Sequence, residues 1–307
     1  MSILPELEEY SYNEELEKLL KTVFPRRHMT YVLEFNMNKD LCEIDFTYGI
    51  SKNEDYDFII NHTEESFKDP YYIHQFLNYG RLNTNIIGVW LESDNLSNGN
   101  YSEPSLFFSF SEYCEDFEFI LKSIKILSLN KKINCNERLL KQCYHALSKG
   151  QFIEHLGVMV SRKEKLIRWY IRGFNSISVF EYLEKVNWRG DLEFLRKRLT
   201  TLIELSTSIS LVIEFNKELR LNLGIEFHFE HINNCDTFLT TLTKFDYLEN
   251  YKLPIISSMI QPKRLSYSGI HFKRELSHFK ISFDELNNPT SKVYLRMVPD
   301  YLKIMGL

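Results

Sequence analysis

Two short stretches repeat one order of side chains. Arg168, Tyr170 and Arg172 alternate with Ile167, Trp169 and Ile171, and Lys292, Tyr294 and Arg296 alternate with Val293, Leu295 and Met297. Alternate residues of a strand share a face, so each polar set would run along about 13 Å of one face at the usual rise per residue. His278 and Lys280 belong to the strand before Lys292 and fall beside it. Guanidinium, ammonium and phenol groups side by side suit a diphosphate: Arg grips two oxygens at once, Lys adds a point charge, and Tyr donates a hydrogen bond without charge. On an open sheet the same residues would simply be solvated cations.

Carboxylates gather on other strands: Glu34, Glu43 and Asp45 in the first hairpin, Glu92 near the end of the third strand, Glu214 and Glu226 in the fourth hairpin. A carboxylate that faces a partly dry lumen has its pKa raised and can serve as a base; the alternative is that it pairs with a neighbouring Arg or Lys. There is no DDxxD and no HExxH, so neither a carboxylate-bound magnesium cluster nor zinc is called for. No cofactor is expected, and magnesium is allowed but required by no motif. GxGxxG, GxxxxGK[ST] and GxSxG are also missing.

The elements that must position these residues follow from the hydrophobic period, which switches between two and about 3.6 near turn-forming clusters. A helix over about 5–23 leads to a hairpin over 29–48, and a helix over 64–79 leads to strands at 86–91 and 105–110. Helices over 114–127 and 137–148 lead to a third hairpin, 156–160 with 166–172. A helical region over 178–205, interrupted at Arg189, Gly190 and Asp191, precedes the fourth hairpin, 209–215 with 219–229. Further helices lead to the fifth, 278–283 with 292–297. A weak echo supports repeated units: Val32-Leu-Glu-Phe-Asn36 resembles Val212-Ile-Glu-Phe-Asn216, each entering a turn.

One face of each strand is apolar, and the helix after each hairpin supplies its cover. The polar face would meet water in an open sheet or line a lumen in a closed one. An open sheet of about ten strands curls or splits and leaves two edges to protect, so closure is expected. A barrel of ten strands is wider than the eight whose interior side chains can fill, and its lumen would hold a ligand. The fold class is therefore α+β: about five hairpin/helix units closing into an antiparallel barrel with helices outside.

With 44% hydrophobic and 14% aromatic residues, the 307-residue chain can build a sizeable core, and its 26% charged fraction argues against general disorder. No interdomain linker stands out, so one domain over 1–307 is expected. The net charge of -5 gives no pull toward nucleic acid. Cys42, Cys114, Cys135, Cys143 and Cys235 are scattered and without CxxC, which fits free thiols in a reducing, cytoplasmic compartment. No signal segment or long apolar run points to export or membrane insertion.

The unit order, the polar barrel face and the cation-Tyr-cation strands together resemble the ABBA, or PT-barrel, prenyltransferases, nearest the cyanobactin-type peptide prenyltransferases. Leu156-Gly-Val-Met-Val-Ser-Arg162 through Leu166–Arg172 looks like one repeat of that family, and Ser291-Lys-Val-Tyr-Leu-Arg296 looks like its Lys-x-Tyr strands. The region His155–Arg296, with Gly224-Ile-Glu226 and Leu276-Ser-His-Phe-Lys280, also resembles a widespread bacterial family of uncharacterised activity. The prenyltransferase resemblance implies a prenyl diphosphate held by Arg168, Arg172, Lys280, Lys292 and Arg296, with His278 beside them. Tyr170 and Tyr294 would cover the allyl cation, Glu43 or Asp45 would be the base, and the acceptor would be a peptide side chain or a small aromatic. A non-catalytic peptide-binding or maturation partner is the alternative.

Overall fold

The structure, a computed structural model, describes residues 30–37, 44–51, 56, 69–93, 103–112, 116–129, 131, 133, 135–160, 164–232, 235–267 and 270–299. The helix expected over 5–23 and the candidate base Glu43 lie outside them. Strands come in hairpins: β1 (Thr30–Asn36) with β2 (Ile44–Ser51), β3 (Ile86–Ser93) with β4 (Ser105–Phe110), β5 (Phe152–Val158) with β6 (Ile167–Phe174), and β7 (Ser208–Phe215) with β8 (Leu219–His228). Three more follow: β9 (Lys263–Tyr267), β10 (Ile270–Phe283) and β11 (Pro289–Pro299). All are antiparallel in one sheet, and pairing of β11 with both β10 and β1 closes the ring. Ten of the eleven strands form that ring, while β9 hangs on the first half of β10.

Between hairpins lie α1 (Pro70–Leu82), α2 (Phe117–Leu127), α3 (Glu137–His145), α4 (Ser178–Lys185), α5 (Leu192–Leu205), α6 (Cys235–Lys244) and α7 (Leu253–Met259). Their starts are written in the sequence. Asp69, Asp116, Asn136 and Asp191 each accept a backbone N–H of the first turn, and Pro70 sits where a missing N–H costs nothing.

The period of two sorts each strand into an outer and an inner set. The outer residues, such as Leu33 and Phe35 on β1 or Trp169 and Ile171 on β6, are buried in one core shared with the helices. Trp169 packs on Phe215, and Phe227 packs on Phe238 of α6, so both face outward as the sequence reading requires. Among the inner residues two glycines make room for rings. A Cβ on Gly49 or Gly157 would fall 2.5 Å or closer to the Trp90 indole or the Phe107 ring, each on the strand alongside. With Phe107, residues Met159, Leu166, Tyr170 and Val212 form a separate inner cluster against which Trp90 packs.

The fifth hairpin is longer than its sequence pattern predicts. A bulge between Leu276 and His278 shifts the β10 register by one, so the outer set runs Phe272, Arg274, Leu276 and then Phe279, Ile281, Phe283. That phase break hides the first half of β10 from a test of strict alternation.

Candidate functional site

On the inner face, β6, β7, β8, β10, β11, β1 and β2 bring three cations and their carboxylates together. Arg168 donates to Glu214 Oε1 from Nε at 2.9 Å and from Nη2 at 2.5 Å, and its Nη1 reaches the Tyr170 hydroxyl at 3.3 Å. Lys280 donates to Glu226 Oε1 at 3.4 Å, and its ammonium stands 4.8 Å from the centre of the Tyr170 ring. Lys292 donates to Glu34 and, at 3.4 Å, to Asp45. Lys280 and Lys292 are direct partners across β10 and β11. Like charges so placed repel, and the pairing persists only where anions stand beside it.

Arg168, Lys280, Lys292 and Tyr294, with Glu34, Glu92 and Glu214, line a cavity of about 230 Å³. It lies toward the hairpin-turn end of the barrel, where Asp284 and Asn288 of the β10–β11 turn form part of its wall. Asp45 reaches it through Lys292. Tyr170 stands between Arg168 and Lys280 without being part of the lining.

Deeper in the lumen the chemistry changes. His278 stacks flat on Tyr294, with centroids 4.1 Å apart, and lies 5.2 Å from His228. Its Nε2 is 3.5 Å from Glu226 Oε1 but has no hydrogen-bond partner among the described residues. His155 Nδ1 meets Ser109 Oγ at 2.8 Å, and Trp90 Nε1 donates to that same oxygen at 2.7 Å. The indole can only donate, so Ser109 Oγ accepts from Trp90 and uses its remaining capacity on His155 Nδ1.

Two expected ligands of the diphosphate are elsewhere. Arg172 forms an ion pair with Glu154 at 2.6 Å, poorly angled for a hydrogen bond, and Arg296 reaches Glu275 at 2.6 Å with half of its side chain exposed. Both lie toward the helix-connected end and outside the cavity lining. Same-face residues four apart stand about 13 Å apart along the strand, and the ion pair with Glu275 keeps Arg296 away from Lys292.

Electrostatics separates the two zones. Burial works against charge on Glu34, but the Lys292 ammonium and hydrogen bonds from Lys292 and Tyr294 outweigh it and bring the carboxyl down to about 2. Burial likewise opposes the charges of Arg168 and Lys292, yet neighbouring Tyr170 and Glu214, and Glu34 and Asp45, hold them above their usual values. The histidines go the other way. Burial pulls His155 down to about 4, burial and His278 pull His228 down to about 3, and burial and Lys280 take His278 well below its usual value. At neutral pH the cations and carboxylates of the cavity are charged, whereas the three histidines deeper in the lumen are neutral rings.

A closed ring of ten antiparallel strands inside a jacket of helices is also the architecture of solved prenyltransferases. The fold is the PT barrel. AnaPT from Neosartorya fischeri superposes with a TM-score of 0.53 at 11% identity, over 87% of this chain and 77% of that one. NotF, in complex with brevianamide F and DMSPP, gives 0.52 at 8% identity over 87% and 79%, and NotF prenyltransferase in a second structure gives 0.50 at 9% over 87% and 80%. No family model matches the sequence. No curated protein matches it either. The PT-barrel likeness is thus one of architecture.

Sequence reasoning named His278 but missed His155 and His228 beside it, and it missed the inner aromatic wall. Trp90 and Phe107 sit in plain alternation with outer residues, but Gly49 and Gly157 on the facing strands were the available signal, since glycine in a strand marks a close approach. A second signal was the triplet of apolar residue, Glu, Phe, which on strands occurs at Leu33–Phe35, Ile213–Phe215 and Ile225–Phe227, where it buries its flanks outward and turns the Glu inward; the same triplet at 117–119 and 192–194 lies on helices.

Proposed function

We propose that this chain is a prenyltransferase that takes an allylic prenyl diphosphate into the barrel and transfers its prenyl group to an aromatic acceptor, free or borne on a peptide. The observation that carries the reading is the joint placement of Arg168, Lys280, Lys292 and Tyr294 on one cavity, with Tyr170 between the first two. Three cations can balance a diphosphate. The faces of Tyr170 and Tyr294 can stabilise an allylic cation by their quadrupoles as the carbon–oxygen bond breaks, and the inner wall of Phe107, Met159, Leu166 and Val212 offers a dry surface for the hydrocarbon. Asp45 is a better candidate than Glu34 for taking the acceptor's proton, because Glu34 is held as a weak base by Lys292. Solved relatives in fold include one holding brevianamide F and DMSPP, which supports the same assignment.

A ligand that binds only the folded state raises its melting temperature. Dimethylallyl and geranyl diphosphate should do so, followed by turnover with aromatic acceptors. Stabilisation by nucleotides and not by prenyl diphosphates would sink the assignment. A second reading, a peptide-binding maturation partner without catalysis, draws on the carboxylates already paired with all three cavity cations. It requires peptide binding with no consumption of prenyl diphosphate.

A further inference from the structure

The three cations that would hold a diphosphate are each engaged by a carboxylate of the chain itself: Arg168 by Glu214, Lys280 by Glu226 and Lys292 by Glu34. All three carboxylates are more than nine-tenths buried and come from the same triplet of apolar residue, Glu, Phe. The repetition is structural as well as local. Glu214 on β7 holds the cation of the preceding Arg168-x-Tyr170 strand, and Glu34 on β1 holds the cation of Lys292-x-Tyr294 on its neighbour β11. Buried Arg and Lys left without anions would be strongly destabilising, so a barrel that must stand empty between ligands needs internal anions at these positions.

We infer that Glu34, Glu214 and Glu226 are internal stand-ins for the diphosphate, so that the donor binds by exchange: its oxygens replace carboxylates on Arg168, Lys280 and Lys292, and the freed carboxylates turn to other partners. This rests on the diphosphate assignment above and adds to it that the anion site is self-inhibited. Its signature is a reversal of the usual sign. A carboxylate that only braces its cation would, once neutralised, leave that cation less firmly held and the anion bound no more tightly. In an exchange site, neutralising the competitor tightens the anion.

Glu214→Gln tests this directly, because the amide oxygen can still accept from Arg168 and the shape is kept. Inorganic pyrophosphate, titrated calorimetrically into the wild-type chain, Glu214→Gln and Arg168→Met, should bind about tenfold more tightly to the first variant and about tenfold more weakly to the second. Circular dichroism of each variant shows that it is folded. Should Glu214→Gln fail to fold, Glu226→Gln makes the same test at Lys280. Pyrophosphate binding that is unchanged or weaker in the folded Glu-to-Gln variants overturns the exchange while leaving the diphosphate site in place. If neither pyrophosphate nor dimethylallyl diphosphate binds any form, the diphosphate reading itself falls, and the inference with it.

Discussion

The outer and inner faces of the same strands are built on opposite principles. On β6, Ile167, Trp169 and Ile171 enter a core that each shares with many neighbours, whereas Arg168 and Arg172, one residue away, depend on single carboxylates, Glu214 and Glu154. The outer face is redundant and sets the fold. The inner face is specific, and each substitution there leaves an identifiable partner exposed to the consequence. Ligand chemistry can therefore change on the inner face without rewriting the barrel, provided that charges change in pairs.

The largest effect should come from the outer face. Trp169 is fully buried, its ring 4.8 Å from that of Phe215. Trp169→Ala should lower unfolding free energy by about 3–5 kcal/mol, read from urea denaturation, because it removes both transfer energy and packing. A loss under about 1 kcal/mol would mean that this face is not the core of the barrel.

Next comes the inner ion pair. Arg168→Met alone keeps length and apolar stem but strands Glu214 in a buried site, so it should cost about 3 kcal/mol, whereas Arg168→Met combined with Glu214→Met should recover most of it. The double-mutant cycle measures the coupling. If the double variant is no more stable than Arg168→Met, the pair is not a unit. The cycle also gives the unfolding background against which any loss of donor affinity in Arg168→Met must be judged.

Acid separates the two inner zones. His155 and His228 have folded pKa values of about 4 and about 3 against 6.5, so below pH 6.5 the unfolded chain binds more protons and stability falls as pH drops, levelling off only near those lower values. Glu34 is depressed to about 2 from 4.5; its stabilisation is complete above pH 4.5 and is lost as pH falls through about 2. Melting temperature against pH should therefore begin to fall near 6.5, ahead of the carboxylates. In His155→Gln the loss between pH 6.5 and 4 should be shallower. An identical profile in wild type and variant would show that His155 is not buried neutral.

Much of this was legible beforehand, for a physical reason. Strands with one apolar face and one polar face declare both their elements and their facing, and the count of about ten strands made closure the economical solution. Arg168, Lys280, Lys292 and Tyr294 were therefore placed on the right face by spacing alone, and the structure brings them to one cavity. Depth along the lumen was not legible, because a period of two gives the face of a residue and not its distance from the barrel mouth; Arg172 and Arg296 share the face but not the cavity. Nor could alternation survive the β10 bulge, which reverses the facing between Leu276 and His278. Which carboxylate meets which cation depends on register between strands far apart in the chain, as with Glu34 and Lys292.

The smallest effect should be at Arg296, and it sharpens the contrast with Arg168. Both arginines belong to the same cation-Tyr-cation order, and both were candidate diphosphate ligands. Arg296 is half exposed and shares Glu275 with Lys273, so its removal leaves that carboxylate still paired. An ion pair of this kind contributes about 0–1 kcal/mol because water screens it and the long side chain gives up entropy to form it. Arg296→Met should thus shift stability by less than about 1 kcal/mol and leave pyrophosphate affinity within about twofold of wild type, measured by the same calorimetric titration. Arg168→Met, by contrast, should weaken it by roughly tenfold or more, as expected for loss of a charge-assisted contact in a buried site. Equal losses for the two variants would place the anion between the two ends of the lumen, and the assignment of the cavity at the hairpin-turn end would have to be abandoned.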